Sequence, residues 1–383
     1  MSNSRTKSAG AASTRRPELQ RKFHIQGSQR PRPSARAVIY CDGGTDDQFR
    51  EGVDLELSHW IPNRTPARFK EDTSTEICLS FVASGDQRFD LVVNNHADVD
   101  GVLSMFTLVA GAWALPHRRT LTQAAHMGDF WGWGEPPAQA LFQSLTLLIR
   151  ELQSQKADGG ALYERCFDHV FAFLSGEFEA ATADFVGEST SLLEPGLAAL
   201  GDSVALVERG DVERKVLGER FARYVIPQRL AGSELPRALR VPSFNAPLSS
   251  ECVLWPQARA RFDRERVHLV SVEAEAGWYH DLWYPGYVWA DTPRSWRPTG
   301  LRAEGDSNTH VLDHPPLASA VDELSGLERA SGRWTLARGL TPFSALEGRG
   351  FPIVLSFLAN DAPQPSSLEP DLVAERLAKA YLG

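Results

Sequence analysis

Apolar and polar positions divide the chain into short elements. Ala37-Val-Ile-Tyr-Cys41 is a continuous apolar run that reads as a buried strand, and Phe89–Asn95 is a second one. Thr75–Val82 alternates with period two and reads as a strand, with Ser84-Gly85-Asp86 turning it into a hairpin with the run that follows. After Gly101 the pattern changes. Val102, Met105, Phe106 and Val109 fall on one helical face, and Gly101 would let the backbone turn tightly into that helix. Residues 137–155 and 161–174 repeat Leu, Ile and Phe at helical spacing around an Asp158-Gly-Gly160 break, which predicts an antiparallel helical pair. The second half is richer in strand signals, over 203–208, 221–226 and 266–274, and residues 371–382 predict a terminal helix. The fold class expected is α/β: a mixed, largely parallel sheet flanked by helices in residues 37–200, with a second, smaller α/β lobe in 201–383.

The polar residues that interrupt this pattern sit where strands end. Asn95-His96-Ala97-Asp98-Val99-Asp100-Gly101 follows one predicted strand and Asp42-Gly43-Gly44-Thr45-Asp46-Asp47 another. In an open α/β sheet the carboxyl ends of the strands form the ligand crevice. Two carboxylates two residues apart in extended chain point the same way, roughly 6–7 Å apart, so Asp98 and Asp100 suit a hard divalent ion or a close pair of ions, with His96 on the same face. If the two strands are parallel neighbours, Asp42, with Asp46 or Asp47, completes that site. The plainer alternative is that these Asp residues only cap helices.

The run from Asn95 to Gly101, lying between a strand and a helix, resembles the first motif of the DHH phosphoesterase superfamily. The resemblance covers some 20 residues. It implies a DHH-like core, two manganese or magnesium ions held on Asp and His side chains, and hydrolysis of phosphodiesters, nucleotides or pyrophosphate, with metal and catalytic roles for His96, Asp98 and Asp100. The family's later Asp-His-His triplet is not present as such. Its nearest equivalents are Leu312-Asp313-His314-Pro315, with proline in place of the second His, and His126-Met-Gly-Asp129, which makes Asp129 a further metal candidate.

Two aromatic segments stand out. His126–Pro137 carries Trp131 and Trp133 between glycines, and Gly277–Thr292 carries His280, Trp283 and Trp289 around a Pro-Gly step. Each reads either as the wall of a recognition pocket, which makes Trp131, Trp133, His280, Trp283 and Trp289 substrate-binding candidates, or as core packing. Cys166 and His169, three apart on a helix, read as packing.

Of the 383 residues 42% are hydrophobic and 23% charged, and the net charge is −9, which fits a globular chain with a sizeable core. Residues 1–36 hold nine Lys or Arg and one Glu, so the acidity lies in the remainder; this basic segment is expected to be a disordered tail. An acidic body lacks the broad basic surface of a nucleic-acid enzyme, so the expected partner is a small molecule or a peptide, not nucleic acid. No signal peptide or membrane helix is expected, and four scattered cysteines without CxxC spacing suit reduced thiols, which together suggest a cytoplasmic protein. Phosphate-loop, dinucleotide-binding and serine-hydrolase motifs are missing. The leading expectation is a divalent-metal-dependent, phosphoesterase-like hydrolase of a small molecule. Its competitor is a catalytically inactive DHH-like protein that binds a peptide or ligand as an accessory in a biosynthetic pathway.

Overall fold

A computed structural model describes residues 19–231, 235–305 and 307–382. The first sheet comprises β1 (Lys22–Ile25), β2 (Val38–Cys41), β3 (Leu55–Leu57) and β4 (Leu91–Asn94) in the spatial order β1-β4-β2-β3. All three pairings are parallel, with Ile25 opposite Asn94, Tyr40 opposite Val93 and Cys41 opposite Leu57. This register brings the carboxyl ends of β2, β3 and β4 to one edge of the sheet, so the loops that follow them share one crevice.

The expected hairpin is replaced by a helix. Residues 74–83 form α1 (Ser74–Ala83), whose Thr73 side chain accepts from the Glu76 amide while the Glu76 carboxylate accepts from the Thr73 amide. Such a reciprocal cap satisfies two of the free amides at a helix start. Helix α1 buries residues on most of its circumference, so the period-two pattern did not mark a half-solvated strand. With α1 as crossover, β4 lies parallel to its neighbours, and this sheet is parallel throughout rather than mixed.

Four further helices cover the sheet: α2 (Val99–Ala110), α3 (Arg118–Asp129), α4 (Pro136–Ser154) and α5 (Gly159–Leu174). All twelve residues of α2 are buried, as befits a helix apolar on every side. The stretch Val99–Asp129 is long and apolar enough to match a membrane span, but 78% of its most apolar window is buried inside the protein. The Asp158 break falls as expected, with the Asp158 carboxylate accepting from the Gly160 amide at the start of α5.

The second sheet is mixed and seven-stranded. Its main path runs Arg333–Leu336, Ile353–Ala359, β8 (Gly277–Trp283), β7 (Val267–Ala274), β6 (Phe221–Ile226) and β5 (Glu213–Val216), and only β6–β7 is parallel. Residues 203–208, expected as a strand, are the last turns of the helix Glu188–Glu208; its buried Leu200, Ser203 and Val204 lie at helical spacing. That helix crosses the boundary expected at residue 200, and one apolar core runs through both halves of the chain. The four cysteines are free and buried.

Residues 19–36, expected to belong to the disordered tail, are ordered. Although residues 19–36 carry few apolar side chains, β1 adds an edge strand to β4. Arg21 is buried, donating to the carbonyls of Phe89, Leu108 and Asp86, and Arg32 pairs with Asp46. Backbone pairing and guanidinium bonds to carbonyls, neither of which leaves a periodic apolar signature, hold this segment. The rest of the expected tail, residues 1–18, lies outside the described residues.

Candidate metal centre

Six side chains converge where β2, β3 and β4 end: Asp42, His59, His96, Asp98, Asp100 and Asp129. They fall into two ligand sets that share Asp42. The inner set is Asp42, His59, Asp100 and Asp129, all buried; the outer set is Asp42, His96 and Asp98, with the last two partly open to solvent. His59 Nε2 stands 3.5 Å from Asp42 Oδ1, 3.8 Å from Asp100 Oδ2 and 3.3 Å from Asp129 Oδ2. His96 Nε2 stands 3.2 Å from Asp42 Oδ2 and 3.3 Å from Asp98 Oδ2. Ligands about 2.1 Å from one ion lie roughly 3.0–3.4 Å from each other in octahedral or tetrahedral geometry. Three of the five spacings fall in that range and two, at 3.5 and 3.8 Å, are longer, so the group is one that could hold a metal ion.

Each ligand is held by the fold. Asp42 follows β2 directly, and its amide extends the ladder to the Leu57 carbonyl while its φ of 46° lies in the left-handed region. A non-glycine residue held there reflects a local constraint of the kind that gathers at functional sites. His59 comes two residues after β3 and donates from Nδ1 to the Asp72 carbonyl at 2.9 Å, which leaves Nε2 facing the carboxylates. His96 is oriented likewise by Nδ1 and the Asn95 side-chain oxygen at 2.7 Å. A partner on one ring nitrogen that fixes the other for a metal is the usual support for a histidine ligand. The Asp100 oxygens accept from the Ser74 and Thr75 amides at 2.8 Å each, so the start of α1 anchors this carboxylate. Asp129, the last residue of α3, accepts from the Asn245 side-chain amide at 3.1 Å.

Asp98 both caps and converges. Its Oδ1 accepts from the Gly101 amide at 2.8 Å as the cap of α2, and its Oδ2 faces His96. Gly101 serves close approach rather than a turn, since a Cβ there would stand 2.9 Å from Asp42 Oδ2 and 3.1 Å from Asp98 Oδ1. Gly43 is similarly constrained, with φ 103° and room for a Cβ only 2.5 Å from Asn95 Oδ1.

The charges are strongly coupled. Burial opposes a charge on His59, but Asp129, Asp100 and Asp42 outweigh it and raise its pKa to about 10. His96 is pushed up to about 12, burial again being overcome by Asp98 and Asp42. Burial, then the charge of Asp42, raises Asp100 to about 6, and burial with Asp98 raises Asp129 well above the carboxylate range. Asp42 is lowered, because His96 and His59 prevail over its burial. Both Asp42 oxygens and the Nε2 atoms of His59 and His96 are buried without a hydrogen-bond partner. Each of the four nonetheless lies within ion-pair distance of an opposite group, and a cation between them would contact all four at once. Carboxylates together with imidazoles that have given up the Nε2 proton form a donor set that divalent cations take.

Of the sequence candidates, His96, Asp98, Asp100, Asp42 and Asp129 are brought together. Asp46 is not; it accepts from Tyr40, Arg32 and Gln26. His126 bonds Glu76 instead, and His314 packs on Tyr381. The aromatic candidates are mainly core. Trp131 stacks on Phe244 with Phe351 beside both, Trp133 is half-buried under Arg261, and Trp283 is buried under Arg259. His280 is buried, bonded to Ser271 and the Leu368 carbonyl, with its pKa lowered to about 4 by burial. Trp289 alone reaches the centre, its ring 5.0 Å from His59, but as buried backing. His59 escaped the sequence reading. Leu55-Glu-Leu57 is a third strand only three residues long, and Ser58-His59 occupies the same strand-end position as Asp42 and His96.

A family described as a family of unknown function, DUF6687, has a model that matches residues 28–212, so this part of the chain is similar to that family. No curated protein and no solved structure matches the chain.

Proposed function

We propose that this protein is a divalent-metal-dependent hydrolase of a small phosphoester. The observation that carries the reading is the sharing of Asp42: its two buried oxygens face different ligand sets, each completed by one histidine whose Nε2 has no hydrogen-bond partner. Asp42, His59, Asp100 and Asp129 would hold one ion and Asp42, His96 and Asp98 the other. Ions bound there would polarise a phosphoryl oxygen and lower the pKa of a water molecule.

The chain's own residues do the remaining work. The Asp72 carbonyl and Asn95 keep the two imidazoles turned toward the carboxylates, and the α1 amides and Asn245 keep Asp100 and Asp129 from turning away. The outer set opens on a cleft of about 920 Å³ lined in part by His96, Gly43 and Asn95, so substrate would approach from that side. Because His96 Nε2 faces two carboxylates, its role is that of a ligand rather than of an acid to the leaving group. Glu56, a buried carboxyl on the cleft wall with its pKa raised by burial, is the group outside the ligand sets that is suited to carry that proton. The resemblance of the Asn95–Gly101 run to the DHH phosphoesterases supports the same chemistry. The competing expectation of an inert binding crevice rests on the altered later motifs and on the aromatic segments, and most of the latter are buried in the core.

The test is metal analysis of purified protein together with hydrolysis of 4-nitrophenyl phosphate and bis(4-nitrophenyl) phosphate, with and without Mn²⁺. Bound or activating metal, with turnover lost in Asp100→Asn while the fold persists, is the expected result. Absence of any bound or activating divalent ion removes the proposal.

A further inference from the structure

The cleft beyond the outer ligand set has a composition of its own. Trp60 stands between the centre and the cleft mouth: its ring is 5.8 Å from His96, 4.7 Å from Trp289 and 6.3 Å from Phe343. Its indole N–H is buried and has no acceptor. Phe343 comes from the second half of the chain, 76% accessible, and is the one exposed aromatic ring among the described residues. It is not loosely placed. The Thr341 hydroxyl accepts from the Phe343 and Ser344 amides, so a tight turn presents the ring. Exposing an aromatic ring forgoes the burial that large rings usually gain, which calls for an occupant.

The polar groups beside these rings define the rest of that occupant. Arg64 lines the cleft beside Glu56, whose carboxylate accepts from the Arg64 amide; its guanidinium packs on Phe49, donates a long 3.4 Å bond to Thr45 and has no carboxylate within ion-pair distance among the described residues. An arginine left in this way suits a phosphate or carboxylate. Asn308 Oδ1, also on the cleft wall, is buried and unpartnered. Both of these polar atoms, on Trp60 and Asn308, are buried, so the groups offered to an occupant are the rings of Trp60 and Phe343 and the Arg64 guanidinium, whose residues line the cleft.

We propose that the cleft recognises a phosphoester whose leaving group is flat and aromatic, packed on Trp60 and enclosed by Phe343, with Arg64 taking part of the anionic charge. This rests on the reading of the centre as a phosphoester hydrolase, and it makes Phe343 a specificity-determining residue supplied by the second half of the chain. The aromatic surface does not itself need a metal ion, so the two claims fail separately.

The experiment measures affinity rather than turnover. Phenyl phosphate and ethyl phosphate are titrated into the full-length protein, with Mn²⁺ and again after chelation, and followed by calorimetry and by tryptophan fluorescence, which Trp60 reports. The expected result is at least tenfold tighter binding of phenyl phosphate, a preference that falls to within about twofold in Phe343→Ala and is partly retained in Phe343→Tyr. Because Phe343 is exposed, its alanine variant should melt at the wild-type temperature, so loss of preference does not reflect unfolding. Equal affinity for the two esters while Mn²⁺ is bound overturns the aromatic subsite and leaves the metal reading standing. A preference for phenyl phosphate that survives chelation supports the subsite, and if no Mn²⁺ binds in the same titrations it is the metal reading that falls. Failure of both esters to bind overturns the proposal.

Discussion

Replacing Asp42 by Asn tests the centre at the point where its two halves meet. The substitution keeps the shape of a fully buried side chain, so it opens no cavity. It removes one negative charge from each ligand set. The inner set falls from three carboxylates to two and the outer set from two to one. The outer set is then left with Asp98 and His96 alone, and an Asn amide hydrogen would point at a histidine nitrogen. Changing a group that merely supports a ligand typically costs 10- to 100-fold in metal affinity, so loss of a shared ligand should cost at least about 100-fold at each set, or about 2.7 kcal/mol. Asp98→Asn should weaken only the outer set. Calorimetric titration with Mn²⁺ then gives two ions for wild type, one for Asp98→Asn and none at comparable concentration for Asp42→Asn. Thermal melts give a second reading, because metal at 100 times its Kd stabilises by about 2.7 kcal/mol per site; wild type should gain both increments and Asp42→Asn neither. Two ions bound by Asp42→Asn at wild-type affinity, or both lost in Asp98→Asn, would refute the division into two sets joined at Asp42.

Three other outcomes follow from the fold. Burial opposes a charge on Glu76, but the His126 imidazole 3.0 Å away and the Thr73 amide outweigh it and lower the Glu76 pKa to about 2; because the folded value lies below the ordinary one, the stabilisation is present above about pH 4.5 and is lost as pH falls toward 2. At about 1.4 kcal/mol per unit the limit is about 3 kcal/mol, and urea melts of Glu76→Gln should show a flatter acid limb than wild type; parallel limbs would show that the pair contributes nothing. Trp283→Ala should cost about 3–5 kcal/mol of stability, since the ring is buried under Arg259, and a loss below 1 kcal/mol in chemical denaturation would contradict its place in the core. Deleting residues 1–30 removes β1 and the Arg21 bonds to three carbonyls, so the melting temperature should drop by several degrees; an unchanged melt would show that the edge strand is dispensable.

What the sequence revealed depended on which interactions hold each element. Strands β2 and β4 and helices α2, α4 and α5 are apolar and deeply buried, and their hydrophobic runs declared them. Helix α1 was misread because a helix buried on most sides need not show a 3.6-residue period; the Thr73-Ser-Thr-Glu76 cap carried the information instead. β1 was missed because it is held by backbone pairing and by Arg21. At the centre, five of six ligands were legible because parallel strands must deliver their ends to one edge. His59 was not, because a three-residue strand gives too short a pattern to mark its own end. The aromatic segments misled for a different reason: density of Trp does not distinguish a pocket wall from a core, whereas the exposed Phe343 lies in a stretch with no aromatic density at all.

Asn245 joins the two halves of the chain at the candidate centre. With φ at 53°, it spans the two halves: its side-chain nitrogen holds Asp129, its side-chain oxygen accepts from the Val99 amide, and its own amide donates to the Gly128 carbonyl. All six ligands lie within residues 28–212, the part similar to the family of unknown function, but this brace, Trp289 and Phe343 lie beyond it. The candidate ligands and the residues that brace and flank them thus lie in different stretches of chain. A relative that keeps the first stretch and exchanges the second would retain the ligands while presenting them to another molecule, provided that the new partner supplied one small polar side chain to steady Asp129.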